Sequence, residues 1–305
     1  IGGDGLNGSW PISPTPPLSV GPYEEVNALA SLGGILYAGL GNSGNDAEVW
    51  SWDGSTWTKI GGDSINTGWT TNYERVSAFA IYDGSLVAGL GASAGDGELW
   101  RWSGTNWSKL GGDSLNGSWD NTIEQVEALI PYAGGLYVGL GNSAGEGEVW
   151  ELKNGTWTKV GGDDLNGSWA DGTYERVRSF TVYNGDIYAG LGSTAGEGEV
   201  WRYRLGTWTK VGGNSLNASW ANAMEEVESL SVYRGKLYAG TGNSANVDAT
   251  VWSYGDNAYV QSTTASFGTN WHHLAGTYDG ITQRIYINGV LEASNAKAVT
   301  VPTED

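Results

Sequence analysis

The sequence predicts an all-β chain: a five-bladed β-propeller of four-stranded antiparallel blades, followed by a short β segment of another kind. Three observations predict it. First, GGDxLNGSW recurs as Gly2–Trp10, Gly61–Trp69, Gly111–Trp119, Gly161–Trp169 and Gly212–Trp220, with small changes (GGDSINTGW, GGNSLNASW). Second, a GLGxSAGxGExW-like string travels with it and ends at Trp50, Trp100, Trp150, Trp201 and Trp252, so five units repeat every 50 or 51 residues. A fixed period of this size marks an array, propeller or solenoid. Third, the chain holds 50 glycines, many in Asp-Gly, Asn-Gly and Gly-Gly steps between runs of Val, Ile, Leu, Tyr and Trp. That is strand-and-turn composition, with no sustained helical period.

The unit at 73–122 shows how one blade is written. Glu74–Tyr82 reads as a strand, Asp83-Gly84-Ser85 as a turn and Leu86–Gly91 as a second strand. The loop Ala92–Gly97 leads to Glu98–Trp102. Ser103-Gly104-Thr105 then turns into Asn106–Leu110, and the long segment Gly111–Thr122 follows. Four short strands per repeat are the signature of a propeller blade. The link between units must return from the outermost strand to the axis, roughly 14 Å at ~4.8 Å per strand. One long link and three short hairpins fit that return. Because strands alternate in direction, the two long loops of every unit share one face of the disc.

These units resemble β-propeller repeats of the kelch, BNR and lectin-propeller type. Ser51–Trp57 (SWDGSTW) resembles the Asp-box hairpin of sialidase-type propellers, one residue short between Asp53 and Gly54. Ser103, Asn154 and Leu205 replace the Asp in later units. The C-terminal run 267–294 (FGTNWHHLAGTYDGITQRIYINGVLEAS) resembles the laminin-G-like, concanavalin-type jelly roll. It covers only part of such a domain.

The division expected is 1–22, a partial repeat with a Pro-rich strap; 23–262, the propeller; and 263–305, the laminin-G-like fragment. Prolines between Trp10 and Pro22 favour an extended strap. Gly255–Ser262 is expected to be the fourth strand of the last blade, with Tyr259 at the position of Trp57, Trp107, Trp157 and Trp208. The C-terminal piece lies near the ~40-residue limit for independent folding and has no cysteine to staple it, so it must pack on the propeller or pair with another chain.

Charge and composition narrow the function. A net charge of −19 argues against nucleic acid and anionic membranes. No apolar run approaches the ~18 residues of a membrane span. The absence of cysteine excludes thiolate metal sites and thiol catalysis. The first residue is Ile rather than Met, and a removed upstream segment is expected.

The repeated loop supplies the candidate ligand site: Asp63, Asn66 and Trp69; Asp113, Asn116 and Trp119; Asp163, Asn166 and Trp169; Asn214, Asn217 and Trp220. Carboxylate, amide and indole together suit a sugar, whose hydroxyls pair with polar groups and whose apolar face stacks on a ring. The competing reading is turn chemistry, with the Trp closing the gap between blades. The acidic pairs Asp46/Glu48, Asp96/Glu98, Glu146/Glu148 and Glu197/Glu199 suggest calcium, but the DxDxDG ladder is absent, so a solvated acidic rim is expected and no cofactor. His272 and His273, the two histidines, are read as structural. The arginines are scattered, with none in register through all units. Six Asn-x-Ser/Thr sites (Asn7, Asn106, Asn116, Asn154, Asn166, Asn217) are potential glycan acceptors outside the cell.

The function expected is a non-catalytic, secreted or cell-surface carbohydrate-binding propeller of lectin-like, adhesive type, with glycans as partners. The alternative is a structural subunit of a self-assembling fibre or sheath, joined through its incomplete ends.

Overall fold

The computed structural model describes residues 1–3, 5–10, 25–42, 44, 46–70, 72–170, 172–221, 224–242, 249–255, 271–279 and 281–296. Each repeat forms one antiparallel sheet in simple sequence order. Blade 1 is β1 (Val26–Leu32), β2 (Ile35–Leu40), β3 (Glu48–Trp52) and β4 (Trp57–Gly61). Blade 2 is β5 (Arg75–Tyr82), β6 (Ser85–Gly91), β7 (Leu99–Trp102) and β8 (Trp107–Gly111). Blade 3 is β9 (Val126–Tyr132), β10 (Gly135–Leu140), β11 (Val149–Lys153) and β12 (Thr156–Gly161). Blade 4 is β13 (Val177–Tyr183), β14 (Asp186–Leu191), β15 (Val200–Arg204) and β16 (Thr207–Gly212). Blade 5 shows β17 (Glu226–Tyr233), β18 (Lys236–Gly242) and β19 (Thr250–Tyr254). Its expected fourth strand lies outside the described residues, as does the Pro-rich strap. A separate three-stranded sheet follows: β20 (Leu274–Tyr278), β21 (Thr282–Ile287) and β22 (Val290–Ala296).

First strands pack on first strands: β1 on β5, β5 on β9, β9 on β13 and β13 on β17. They therefore surround a common axis. Between neighbouring blades lies an apolar seam. The seam of blades 1 and 2 holds Tyr37, Val49 and Ile60 from one side and Val76, Leu86 and Leu90 from the other. The next three seams repeat it. Burying alternate residues on both faces of each sheet requires near-continuous apolar strands, and ILYAGL, LVAGLG and GLYVGL supply them.

Each inter-blade link makes a left-handed turn. Asp113 and Ser114 have φ 51° and 59°, and Asn116 has φ 54°. Asp and Asn tolerate this region better than other side-chain-bearing residues. The strand-end glycine before the turn has a second role. A Cβ on Gly111 would lie 2.8 Å from the Trp157 ring and 3.1 Å from Trp119. Only glycine leaves room for both indoles.

Residues 1–3 and 5–10 sit on blade 1 as the other links sit on their next blades. Trp10 meets Trp50 and Trp57 edge-on, as Trp69 meets Trp100 and Trp107. Trp57 donates its indole N–H to Ile1 O at 2.9 Å, matching Trp107 to Ile60 O at 2.8 Å.

Candidate functional site

The repeated loop that carries the sequence-predicted site is packing. Trp69, Trp119 and Trp169 are each 2 % exposed and Trp220 is 5 % exposed. Each donates its indole N–H to a backbone carbonyl of the blade before it: Ala47, Gly97, Gly147 and Gly198. No indole face is left for a pyranose. Asn66, Asn166 and Asn217 donate to the carbonyls of Ile60, Val160 and Val211 at 3.0–3.1 Å, holding the turn. Asn116 lies beside a groove between blades 2 and 3. Asp63, Asp113 and Asp163 pair with Lys59, Lys109 and Lys159, and Asn214 donates to Glu199. The ring of stacking plates expected from the sequence is corrected to blade-to-blade packing, because the glycine before each turn lets the indole sink into the seam.

The acidic rim is corrected too. Glu48, Glu98 and Glu199 are buried, at 1 %, 3 % and 0 % exposed. Glu98 accepts the Trp100 indole N–H at 2.7 Å and pairs with Lys109. Glu48, Glu148 and Glu199 repeat this with Trp50, Trp150 and Trp201 and with Lys59, Lys159 and Lys210. A lysine charge and an indole donor replace the lost hydration. Among the described residues no group of three or more His, Asp or Glu is placed to hold a metal ion. The Asp53 carboxylate of the Asp-box-like hairpin accepts the N–H groups of Thr56 and Ser55 at 2.8 Å, which hold it below the usual carboxylate range. His273 bonds to Asn288 through its backbone, N to Oδ1 at 2.9 Å, and His272 Nδ1 lies 3.1 Å from Asn288 Nδ2.

The chemistry gathers instead at the axis. Every first strand has a register shift at the same place: between Val26 and Ala28, Val76 and Ala78, Val177 and Ser179, Val227 and Ser229, and opposite Gly139/Leu140 in blade 3. The skipped residues are Asn27, Ser77, Glu127, Arg178 and Glu228. A bulge leaves its residue out of the ladder and re-aims its side chain. These five bulge residues, with Arg75 and Gln125, line one polar cavity of about 200 Å³.

Arg178 is its hub. Nη1 lies 3.3 Å from Glu127 Oε2, Nε 3.3 Å from Glu226 Oε2 and Nη2 3.1 Å from Glu228 Oε2. Burial would lower the Arg178 pKa, but the carboxylates of Glu127, Glu228 and Glu226 outweigh it and raise it. Glu127 is 9 % exposed, and burial raises its carboxyl against the pull of Arg178 and Arg176. Its Oε1 is buried with no hydrogen-bond donor, although Arg176 Nε stands 3.6 Å away. Nε of Arg75 and of Arg176 is likewise buried without a hydrogen-bond acceptor. Burial, followed by the hydrogen bond with Glu228, pushes Glu226 up to about 7. Asn42 and Asn142, from the loops after β2 and β10, accept from Arg75 and Arg176 and splay them at the rim.

This site does not show in the repeat pattern because its residues do not repeat: Asn, Ser, Glu, Arg and Glu occupy one position of the period. Three of the arginines read as scattered, Arg75, Arg176 and Arg178, converge here. The signal was present as strong variation in charge at one place in an otherwise uniform repeat.

Residues 205–305 match the family model of the concanavalin A-like lectin/glucanases superfamily, so the C-terminal third of the chain is similar to that family. No curated protein matches the chain. Among solved structures, the chain is similar to a structural genomics protein of unknown function from Bacteroides thetaiotaomicron VPI-5482: 13 % identity, TM-score 0.42, 70 % of this chain and 55 % of that one. It is also similar to Trypanosoma rangeli sialidase in complex with sialic acid: 13 % identity, TM-score 0.45, 76 % of this chain and 44 % of that one. The chain spans about half the length of either structure.

Proposed function

We propose that this protein is a non-catalytic, lectin-like carbohydrate-binding propeller of the cell surface or the secreted space, with its ligand site at the axis. One observation carries the reading: five bulged strands aim Asn27, Ser77, Glu127, Arg178 and Glu228 into one polar cavity of about 200 Å³. Acceptors and donors alternate around the cavity, which suits the vicinal hydroxyls of a saccharide. Saccharide hydroxyls would pair with the carboxylate, guanidinium, amide and hydroxyl groups that line the cavity. The lectin/glucanase similarity of the C-terminal third supports sugar as the ligand class. No helix among the described residues is long and apolar enough to cross a membrane. Turnover is not part of the reading, because Glu127, Glu226 and Glu228 are all engaged by Arg178.

A glycan array tests it. The parent chain should retain a defined saccharide class, and Glu127→Gln should weaken that binding about 100-fold, as expected when a site built around a hydroxyl loses its partner. Trp271→Ala is the control, since Trp271 is fully exposed on the C-terminal segment. Loss of binding in that variant, with Glu127→Gln unaffected, would move the site to the C-terminal sheet. Rapid hydrolysis of a chromogenic glycoside by the parent would overturn the non-catalytic reading.

A further inference from the structure

One seam departs from its neighbours at the place where two aromatic rings should meet. In sheet register, one position of the second strand reads Tyr37, Val87, Tyr137, Tyr188 and Tyr238 through the five blades. One position of the third strand reads Trp52, Trp102, Leu152, Tyr203 and Tyr254. The tyrosine of one blade faces the third-strand ring of the next: Tyr137 and Tyr203 meet with centroids 6.0 Å apart, and Tyr37 and Trp102 are buried in one seam. Between blades 2 and 3 both places are aliphatic, Val87 on one side and Leu152 on the other. A groove of about 690 Å³ opens at this seam, and Tyr82, Arg101, Leu110, Asn116, Leu152 and Trp157 line it. Leu152 also leaves Trp157 without the tilted ring that Trp52, Trp102 and Tyr203 lay against Trp57, Trp107 and Trp208 at 4.9–5.5 Å.

The polar groups of the groove are unengaged in the same place. Arg202, the blade 4 counterpart of Arg101, stands 3.9 Å from Asp186 Oδ2, and blade 2 has Ser85 where that carboxylate would be. Arg101 lies 5.7 Å from the Tyr82 ring centroid; its side chain makes no ion pair and no hydrogen bond among the described residues, and its Nε is buried. A guanidinium without a carboxylate is an exception in a chain of net charge −19. Asn116 differs as well: Asn66, Asn166 and Asn217 donate to a carbonyl of their own turn, and Asn116 does not. Asp83, the one carboxylate among the lining residues, is exposed on the turn after β5 and does not pair with Arg101.

We propose that the groove between blades 2 and 3 binds a small aromatic carboxylate, with its ring in the space that aromatic side chains fill in the neighbouring seams and its carboxylate on Arg101. A flat ring suits a space that flat rings occupy elsewhere in the array, and Leu110, Leu152 and Trp157 give it apolar walls. The guanidinium fork matches a carboxylate with two parallel hydrogen bonds. The Asn116 amide is a further donor at the groove. The ligand must carry both parts, because the same seam lacks both a ring and a counter-charge. The proposal does not depend on the carbohydrate reading, whose site is at the axis.

Indole-3-acetate is the probe, since it joins a carboxylate to the ring that Trp102 brings to the preceding seam. Isothermal titration of the full chain should show a single saturable site. Tryptophol, which has the ring without the charge, and acetate, which has the charge without the ring, should each bind at least about 10-fold more weakly. Arg101→Gln should weaken indole-3-acetate roughly 10- to 100-fold, the range for losing a hydrogen bond between charged groups, and leave tryptophol binding as it was. Its melting temperature should match the parent, since the Arg101 side chain holds no partner in the fold. Leu152→Trp gives blade 3 the residue that blade 2 has and should abolish binding by refilling the groove, with the melting temperature held or raised. If that variant does not fold, Arg101→Gln decides alone. A parent with no saturable binding would overturn the proposal. So would tryptophol binding as tightly as indole-3-acetate, or indole-3-acetate binding that survives either substitution.

Discussion

The link between blades and the axis between blades are made by the same repeat, yet they obey opposite rules. In the link, residue types repeat: Gly111, Asp113, Asn116 and Trp119 have counterparts in blade after blade, and all serve turn or packing. At the axis the backbone repeats, as a bulge in every first strand, while the side chains do not. Asn27, Ser77, Glu127, Arg178 and Glu228 share one geometry and almost no chemistry. What a repeat array keeps constant is what holds neighbouring units together, and what it lets vary is free to meet something else.

The largest expected effect breaks or upholds the packing half of this comparison. Trp169→Ala removes an indole that is 2 % exposed, bonded to Gly147 O and set edge-on to Trp201 and Trp208. It should cost about 4 kcal/mol and lower the calorimetric melting temperature by roughly 10 °C. Glycan capture by the remaining folded protein should survive. If binding vanishes while the melting temperature holds, the link is a ligand site after all.

Lys109→Met comes next. It strands the Glu98 carboxylate, 4 % exposed at its side chain, without a counter-charge, at a cost of about 3 kcal/mol. Asp113→Asn removes the other partner of the same lysine, but that side chain is 44 % exposed, and the loss should stay below about 1 kcal/mol. Urea unfolding of the two variants separates them. Equal losses would mean that the buried glutamate is not what gives the lysine its importance.

At the axis the expected stability change is small and the binding change large. Glu127→Gln keeps the volume and removes a charge that burial already disfavours, so about 1 kcal/mol or less is expected in unfolding. The axis also carries a pH dependence. Glu226 binds its proton more tightly in the folded protein, at about 7 against the ordinary 4.5. Its contribution to stability is therefore fully present below pH 4.5 and is lost as pH rises through about 7. Asp96, raised to about 6 by burial and then by Glu74, acts in the same direction. Melting temperature should rise as pH is lowered from 8 to 5, and Glu226→Gln should flatten that slope. An unchanged slope would mean that other carboxylates carry the effect.

The strands were legible because their punctuation is. The turn at Asp83-Gly84 places β6 within a residue of its expected start, and Ser103-Gly104-Thr105 does the same for β8. The tryptophans were legible as aromatic but not as buried. Their depth depends on the absent Cβ of a glycine in the same repeat and on a second indole in the next blade, Trp107 for Trp69, Trp157 for Trp119 and Trp208 for Trp169, a distance no local pattern encodes. In the C-terminal segment, β20, β21 and β22 all fall largely within the run 267–294, and Asn288-Gly289 separates β21 from β22. The axial site was illegible for another reason. A bulge cannot be seen in one strand, because it is a mismatch with the partner, and only the assembled sheet shows that Glu127 has lost its place in the ladder.

That bulge gives the molecule something like an addressable keyboard. Each blade offers one skipped residue to the centre, outside the ladder pairing of its own sheet. Exchanging whole repeats, or a single letter within one, therefore rewrites the central cavity without renegotiating the frame. Ligand preference can be composed one blade at a time, as a lock is rekeyed by changing its pins and keeping its barrel.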